Sequence, residues 1–457
     1  MIDLLKRKKN KNKRLVALID GEHHPQVTYD SLEKLKKYYA GKFAGLIFMG
    51  GTEKLVVDDL ENYFGEKICI VEDIDTDFIE ALNFFKPDIV YDLSDEPIVN
   101  YTIRMKVASF CFVKSCSYMG PDFLFEYEKK DIACSIPTIS IIGTGKRIGK
   151  TAISAYLSKI FADRNKNICV VTMGRGGPRQ PQILKGGAVN ITPEYLLKLS
   201  KNGMHASSDY IEDALVSKLT TVGCRRCGGG FGGEVFLSNV KEGVAVAENL
   251  NPDLIVIEGS GASLPDVKTD ANICIIGAYQ SWESIVGYLG IYRLMISDLI
   301  IITMCEEPLA DKKKIDFLKN EIAKINPHAK IVKTVFRPNP LSSISGKKVL
   351  VVMTAKEEAG PKIKNYLEEK YNCQVSNMTF NLSNRKELRK DLKRFCNYDT
   401  ILTELKAASV DVVTDFAFKN KKAIVYLNNV PVVLNGSAKK LKDELGSIYN
   451  KIKLSKV

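Results

Sequence analysis

Apolar positions along this chain gather into short unbroken runs rather than an alternating pattern. "RLVALID", "AGLIFMGG", "KICIVED" and "PDIVYDLSDEP" are such runs before residue 130, and the helical pattern "YDSLEKLKKYYA" separates the first two. Runs of Val, Ile and Leu that alternate with helical spacing predict a parallel sheet covered on both faces. The pattern resumes near residue 136 with "TISIIG", "NICVVTMG", "DLIVIEG", "ICIIGAY" and "LIIITMC". It returns a third time in "KKVLVVMTA", "CQVSNMTF" and "AIVYLNNVPVVL". The expected class is therefore α/β in three segments, 1–132, 133–345 and 346–457.

Composition fits that organisation. The 457 residues, 45% hydrophobic and 26% charged, are too many for one ordinary core. The longest apolar region, Val286 to Cys305, is broken by Arg293 and Asp298 and does not read as a membrane span. The start "MIDLLKRKKNKNKR" lacks the apolar stretch and cleavage site of an export signal. The eleven cysteines are scattered, several inside apolar strands (Cys69, Cys169, Cys274), and read as reduced thiols. The expected compartment is the cytoplasm.

The net charge of +12 changes the picture more. Part of it sits in a basic arm, Lys6–Arg14. Without interleaved aromatic and basic residues or a nucleic-acid motif, no nucleic-acid partner is expected. A small, highly anionic substrate uses the same charge more economically. Heavy use of Lys and Glu also suits a heat-adapted protein.

Open parallel sheets bind ligands beyond the carboxyl ends of their strands. In the first segment those ends carry Asp20, Glu22, His23, Glu53, Asp92, Asp95 and Glu96. Three roles are open to them: positioning a substrate, binding a second metal, or a structural one. His23 and His24 read as hydrogen-bonding loop residues.

The second segment holds the strongest signal, "SIIGTGKRIGKTAISAYL". A strand, a glycine turn with Gly149-Lys150-Thr151, and a helix form a phosphate-binding loop. Counted from Gly143 the loop is one residue longer than usual, G-T-G-K-R-I-G-K-T. Its nucleotide-binding residues are Gly143, Thr144, Gly145, Lys146, Arg147, Ile148, Gly149, Lys150 and Thr151. Glycines let successive N–H groups point at an anion, and the helix adds its positive end. Lys150 can reach the terminal phosphates, and Thr151 can ligate Mg²⁺. Lys146 and Arg147 suit a role at the transferring phosphoryl group. A metal in such a site needs a carboxylate on a neighbouring strand, and "DLIVIEGSGASLP" places Glu258 at a strand end. The fold class sharpens accordingly: a P-loop NTPase domain with a mostly parallel sheet, flanked by an N-terminal Rossmann-like α/β domain and a small C-terminal α/β segment.

Two glycine-rich stretches carry arginines. "TMGRGGPRQPQILKGG" holds Arg175, Arg179 and Lys185, and "TVGCRRCGGGFGG" holds Arg225 and Arg226. Both are expected to be loops or lids at the site, since guanidinium forks match phosphate oxygens. Cys224-x-x-Cys227 has no second pair at metal-binding spacing and reads as structural.

The extended loop and "VIEGSG" resemble dethiobiotin synthetase. Together with "ALIDGEHHP", "MGGTEKL", "DLSDEP", "GRGGP", "TVGCRRCGGG" and "TMCEEP", nearly the whole chain resembles the cyclic 2,3-diphosphoglycerate synthetase family. That resemblance implies an ATP- and Mg²⁺-dependent ligase. It would close 2,3-diphosphoglycerate into its cyclic pyrophosphate, releasing ADP and phosphate, in a cytoplasmic homodimer. A requirement for K⁺ is left open. It also implies roles. Lys146, Lys150, Glu258 and Arg175 would be catalytic, and Thr151 and Glu258 would hold the metal. Arg175, Arg179, Lys185, Arg225 and Arg226 would bind substrate. By analogy with dethiobiotin synthetase, Thr303, Glu306 and Pro340 would surround the adenine.

Three other readings compete. A kinase of another phosphorylated acid, such as 2-phosphoglycerate, shares the loop but needs fewer cations. A nucleotide-switched regulatory ATPase would carry a signature lysine where this chain has Gly145. A nucleic-acid binder would rest on the basic arm alone.

Overall fold

The computed structural model describes residues 11–164, 166–434 and 438–456. Lys6 to Asn10 of the basic arm lie outside the described residues. The chain divides into two compact units: one runs to Lys129 and takes in Val286–Ile296, the other comprises Lys130–Ile285 and Ser297–Val457.

In the first unit the apolar runs become β1 (Arg14–Ile19), β2 (Lys42–Phe48), β3 (Ile68–Ile70) and β4 (Ile89–Asp92), followed by β5 (Ser117–Met119) and β6 (Leu124–Phe125). The order is β3-β2-β1-β4-β5-β6, parallel except for the β5–β6 pair. Helix α1 (Pro25–Tyr38) begins with proline at its first turn, and the His24 ring accepts a hydrogen bond from the Gln26 N–H. It buries Leu32 and Leu35 against Leu15, Ala17 and Leu46.

Strand order reverses between β1 and β4, the place where open sheets bind ligands. There two of the acids, Asp20 and Asp92, are engaged by neighbouring groups. The Asp20 carboxylate accepts from the N–H groups of Glu22, His23 and Asp95 and pairs with the His23 ring. Asp92 accepts from Ser94, Arg104 and the Tyr118 hydroxyl.

The second unit is built on β7 (Thr138–Gly143), β8 (Ile168–Gly174), β9 (Gln182–Lys185), β10 (Thr220–Cys227), β11 (Leu237–Ser238), β12 (Leu254–Glu258), β13 (Ala271–Gly277), β14 (Leu299–Thr303), β15 (Lys330–Pro340), β16 (Lys348–Val352), β17 (Gln374–Thr379), β18 (Thr400–Glu404) and β19 (Ala423–Leu434). These form a 13-stranded sheet in the order β11-β10-β8-β12-β7-β13-β14-β15-β19-β18-β16-β17, with β9 beside β10. Ile139, Ile141, Ile273, Ile275 and Ile301 share one core with Ile153 and Leu157 of α2 (Lys150–Ala162). Each large aliphatic side chain so buried contributes roughly 2 kcal/mol.

The ladder between β15 and β19 decides where the site lies. Residues 330–333 of β15 pair in parallel with β14, whereas residues 333–340 pair antiparallel with β19. Strands β18 and β16 follow β19 in parallel. The C-terminal strands are thereby held beyond the carboxyl ends of the P-loop strands and run back toward them. Two sets of carboxyl ends open into one space.

One expectation fails. The stretch around Arg225 and Arg226 is a strand, β10, paired in parallel with β8 over Thr220–Arg225. Its Gly223 admits the Tyr210 ring, which an added Cβ would meet at 2.6 Å. The glycine there serves close packing, not a turn. Gln182–Lys185, expected as loop, is β9.

Candidate active site

The loop between β7 and α2 is braced from several sides. Gly149, with φ at 88°, caps α2, and a Cβ there would meet the Phe336 ring at 2.2 Å. The Thr144 hydroxyl donates to Gln280 Oε1 at 2.7 Å, and the Tyr279 hydroxyl to the Lys146 carbonyl at 3.2 Å. Arg147 donates to Ser383 Oγ at 2.7 Å. Ile148 is fully buried. The Thr303 hydroxyl donates to the Ile148 carbonyl at 2.8 Å, so Thr303 supports the loop from behind and does not reach the cavity.

The loop opens into a cavity of about 490 Å³. Lys146, Arg147, Gly149, Lys150 and Thr151 line it, with Arg175, Asp209 and Glu258. Lys150 Nζ donates to the Gly145 carbonyl at 2.6 Å. Burial pushes its ammonium down to about 8, against the pull of Glu258 and Asp209. The Thr151 hydroxyl donates to Glu258 Oε1 at 2.6 Å. Glu258 is 3% exposed, and its Oε2 has no hydrogen-bond partner among the described residues. Burial, then the charges of Asp209 and Asp213, hold its carboxyl well above the usual range.

Asp209 opens α3 (Asp209–Ser217) and was not singled out by sequence. Burial raises its carboxyl, while Lys406, Lys150, His205 and Arg175 pull it down. The signal for it was the acidic set Asp209, Glu212 and Asp213 at helical spacing on a helix that buries Ile211, Ala214 and Leu215.

Glu258, Asp209 and Thr151 line one cavity, and hard oxygens of this kind suit a divalent cation. The described residues hold no group of three His, Cys, Asp or Glu placed for a metal. Two carboxylates and a hydroxyl suit Mg²⁺, which keeps waters and phosphates as its remaining ligands. Elevated carboxyl pKa values are those a nearby cation would reverse.

The arginines divide. Arg175 lines the cavity. Arg226 lies behind it, donating to the carbonyls of Gly228 and Ser260, each at 2.7 Å. Burial and then Arg175 lower its pKa; it holds the Ser260–Gly261 turn that Arg175 packs on. Arg225 sits on β10 with its N–H bonded to Asn239, and Arg179 and Lys185 are exposed. None of these four is among the residues lining the cavity.

The far wall belongs to residues that sequence reasoning missed. Phe336, Met353, Ala355, Ile363, Tyr366 and Phe380 give it an apolar face, most of it from the C-terminal segment. Glu306 lines the cavity, but its carboxylate is taken by Arg337 through both guanidinium nitrogens and by Lys362 at 2.7 Å. Pro340 pairs with Leu427 in the β15–β19 ladder, and Pro338 lines the cavity instead.

A buried acid beside the site yields a stability test. Asp213 is fully buried, neither carboxylate oxygen has a described partner, and burial with the neighbouring Glu212 and Asp209 raises it to about 8. An acid whose pKa is higher folded than unfolded lends stability below the unfolded value of about 4 and loses it up to the folded one. Stability therefore falls between about pH 4 and pH 8. Asp213→Asn removes that loss, worth on the order of 3–5 kcal/mol at the upper end. Thermal melts should show the variant above the wild type at pH 8.5 and level with it at pH 4.5. Equal melting at both values would mean that Asp213 is ionised in the folded protein.

Comparisons with known proteins cover almost the whole chain. Family models described as the N-terminal domain, the P-loop domain and the C-terminal domain of cyclic 2,3-diphosphoglycerate synthetase match residues 14–126, 138–335 and 340–430. The protein of that name from Methanothermus fervidus is 45% identical over 441 residues, 95% of this chain and 96% of its own. Those from Thermococcus kodakarensis and Rubrobacter xylanophilus are 44% and 40% identical, over 92% of this chain and 95% and 94% of theirs. Among solved structures, LpxK from Aquifex aeolicus in complex with ATP is similar at 13% identity and a TM-score of 0.44. It covers 81% of this chain and 99% of that one, a likeness too loose to bear on function.

Proposed function

The chain belongs to the cyclic 2,3-diphosphoglycerate synthetase family, and from that premise we propose that it uses ATP and Mg²⁺ to close 2,3-diphosphoglycerate into its cyclic pyrophosphate, releasing ADP and phosphate. One observation carries the reading: a phosphate-binding loop, a buried hydroxyl–carboxylate pair and an arginine share one cavity. Lys150 and the 143–149 backbone would hold the nucleotide phosphates. The purine would lie against Phe336, Met353 and Phe380. Thr151, Glu258 and Asp209 would hold the metal, which when bound offsets phosphate charge. Arg175 would hold a substrate phosphate, and Lys146 would meet charge developing on the transferred group.

An oxygen of one substrate phosphate attacks the γ-phosphorus, and ADP leaves with the electrons of the broken bond. An oxygen of the second phosphate then attacks the first, now activated, phosphate. The transferred group departs as inorganic phosphate, and the ring is closed. Holding both ends of one molecule in place supplies effective concentration, on the order of 7 kcal/mol in favourable cases. The clustered cations offset the repulsion of the joined phosphates. The same reading extends to a cytoplasmic homodimer.

ADP release tests it. With ATP and Mg²⁺ present, 2,3-diphosphoglycerate should drive release at least about 100-fold more efficiently in kcat/KM than 2-phosphoglycerate, a gap expected where a site's hydrogen-bonding groups are left unmatched. Equal use of 2-phosphoglycerate would make the chain a kinase of a monophosphorylated acid.

A further inference from the structure

Among the cations lining the cavity that no recognisable motif marks is Lys406. Lys406 follows β18 in the stretch "TELKAAS" and lines the same cavity as Lys150, Thr151, Arg175 and Glu258. The turn that carries it is fixed. The Ser207 hydroxyl donates to the Ala407 carbonyl at 2.7 Å, tying the turn to the segment that leads into α3. Glu404, two residues earlier, accepts from the Thr354 N–H and hydroxyl and from Asn429, at 2.6–2.7 Å. That carboxylate is saturated by its own segment.

Lys406 itself makes one ion pair, to Glu212 Oε1 at 3.0 Å, with its side chain 28% exposed and that of Glu212 11%. Several other cations on the wall are engaged as well. Arg337 and Lys362 share Glu306, Lys150 bonds the loop, Arg147 bonds Ser383, and Lys356 lies over the Tyr279 ring at 5.4 Å. A half-buried ammonium on a cavity wall, fixed by a rigid turn and paired with one carboxylate oxygen, keeps donors for a second anion.

We propose that Lys406, supplied by the C-terminal segment, binds phosphoryl oxygens of the anionic substrate in the end of the cavity that also holds Lys150, Asp209 and Arg175. The inference rests on the reading of the site as one that takes a phosphorylated acid. It deepens that reading by giving a residue that selects for a second phosphate. A monophosphorylated acid would engage only one of the two cations, Arg175 or Lys406, and would forgo the charge-assisted hydrogen bonds of the other.

A purely structural role predicts something different, a staple between β18 and α3. Lys406→Met alone would leave Glu212 unpaired, so the informative variant is Lys406→Met combined with Glu212→Gln, with Glu212→Gln alone as control. Calorimetry on the full chain would compare ADP with Mg²⁺, 2,3-diphosphoglycerate, and inorganic phosphate added to the ADP–Mg²⁺ complex. The double variant should bind the diphosphoglycerate about 30-fold or more weakly, bind phosphate more weakly, and hold ADP within threefold. Glu212→Gln alone should bind the diphosphoglycerate at least as well as the wild type. Wild-type-like diphosphoglycerate and phosphate binding in the double variant would overturn the proposal. So would an equal loss of ADP affinity, which would make Lys406 a nucleotide ligand. A wild type that ignores diphosphoglycerate would instead defeat the functional reading, and the phosphate titration would still decide the role of Lys406.

Discussion

Lys150→Met should lower kcat by about 10³-fold or more, the scale for removing a charge-stabilising donor at a transferring group. The melting temperature should stay near that of the wild type. The reasoning is local. The side chain makes one described hydrogen bond, to the Gly145 carbonyl, and its stem is buried beside Gly143. Methionine keeps that stem and removes the ammonium. The loop keeps its other braces at Thr144, Tyr279 and Thr303. Turnover by ADP release and unfolding by circular dichroism check the two halves. Full turnover in the variant would remove the phosphate-binding loop from the chemistry.

Glu258→Gln should move activity and stability in opposite directions. Its carboxylate is buried at the end of β12, bonded by the Thr151 hydroxyl at one oxygen and without a described partner at the other. Burial, reinforced by Asp209 and Asp213, raises its pKa. Ionising it in the free protein costs stability, by the same sign as for Asp213, and the amide avoids that cost. Melting temperature at pH 8 should therefore rise. kcat should fall by about 100-fold or more, with a higher Mg²⁺ requirement, because the amide is a weaker ligand for a hard cation. A group that lowers stability while supporting turnover fits a site, not a scaffold. Unchanged activity across a Mg²⁺ titration would remove Glu258 from the metal.

The parallel sheets were legible because their strands are continuous β-branched runs. Thr138–Gly143, Leu254–Glu258 and Leu299–Thr303 appear where "TISIIG", "DLIVIEG" and "LIIITMC" placed them. The phosphate-binding loop was legible because glycine, lysine and threonine at fixed spacing between strand and helix are seldom coincidental. Strand β10 was missed because glycine and arginine read as loop, whereas Gly223 is there to admit the Tyr210 ring. The C-terminal wall of the cavity was invisible for a different reason. It depends on a ladder between Lys333–Pro340 and Leu427–Leu434, a pairing across some 90 residues that no local pattern encodes. Lys406, just past β18, enters the site through that long-range geometry. Of the substrate arginines, Arg175 lines the cavity and Arg179, Arg225 and Arg226 do not; side-chain type indicates phosphate chemistry but not where the backbone carries it.

The most direct measurement is phosphorus NMR of the protein with ATP, Mg²⁺ and 2,3-diphosphoglycerate. The expected result is the loss of both substrate monoester signals to a coupled pyrophosphate pair. One ADP and one inorganic phosphate should form for each ring closed. Unchanged monoester signals while ADP accumulates would contradict ring closure as the reaction of this cavity.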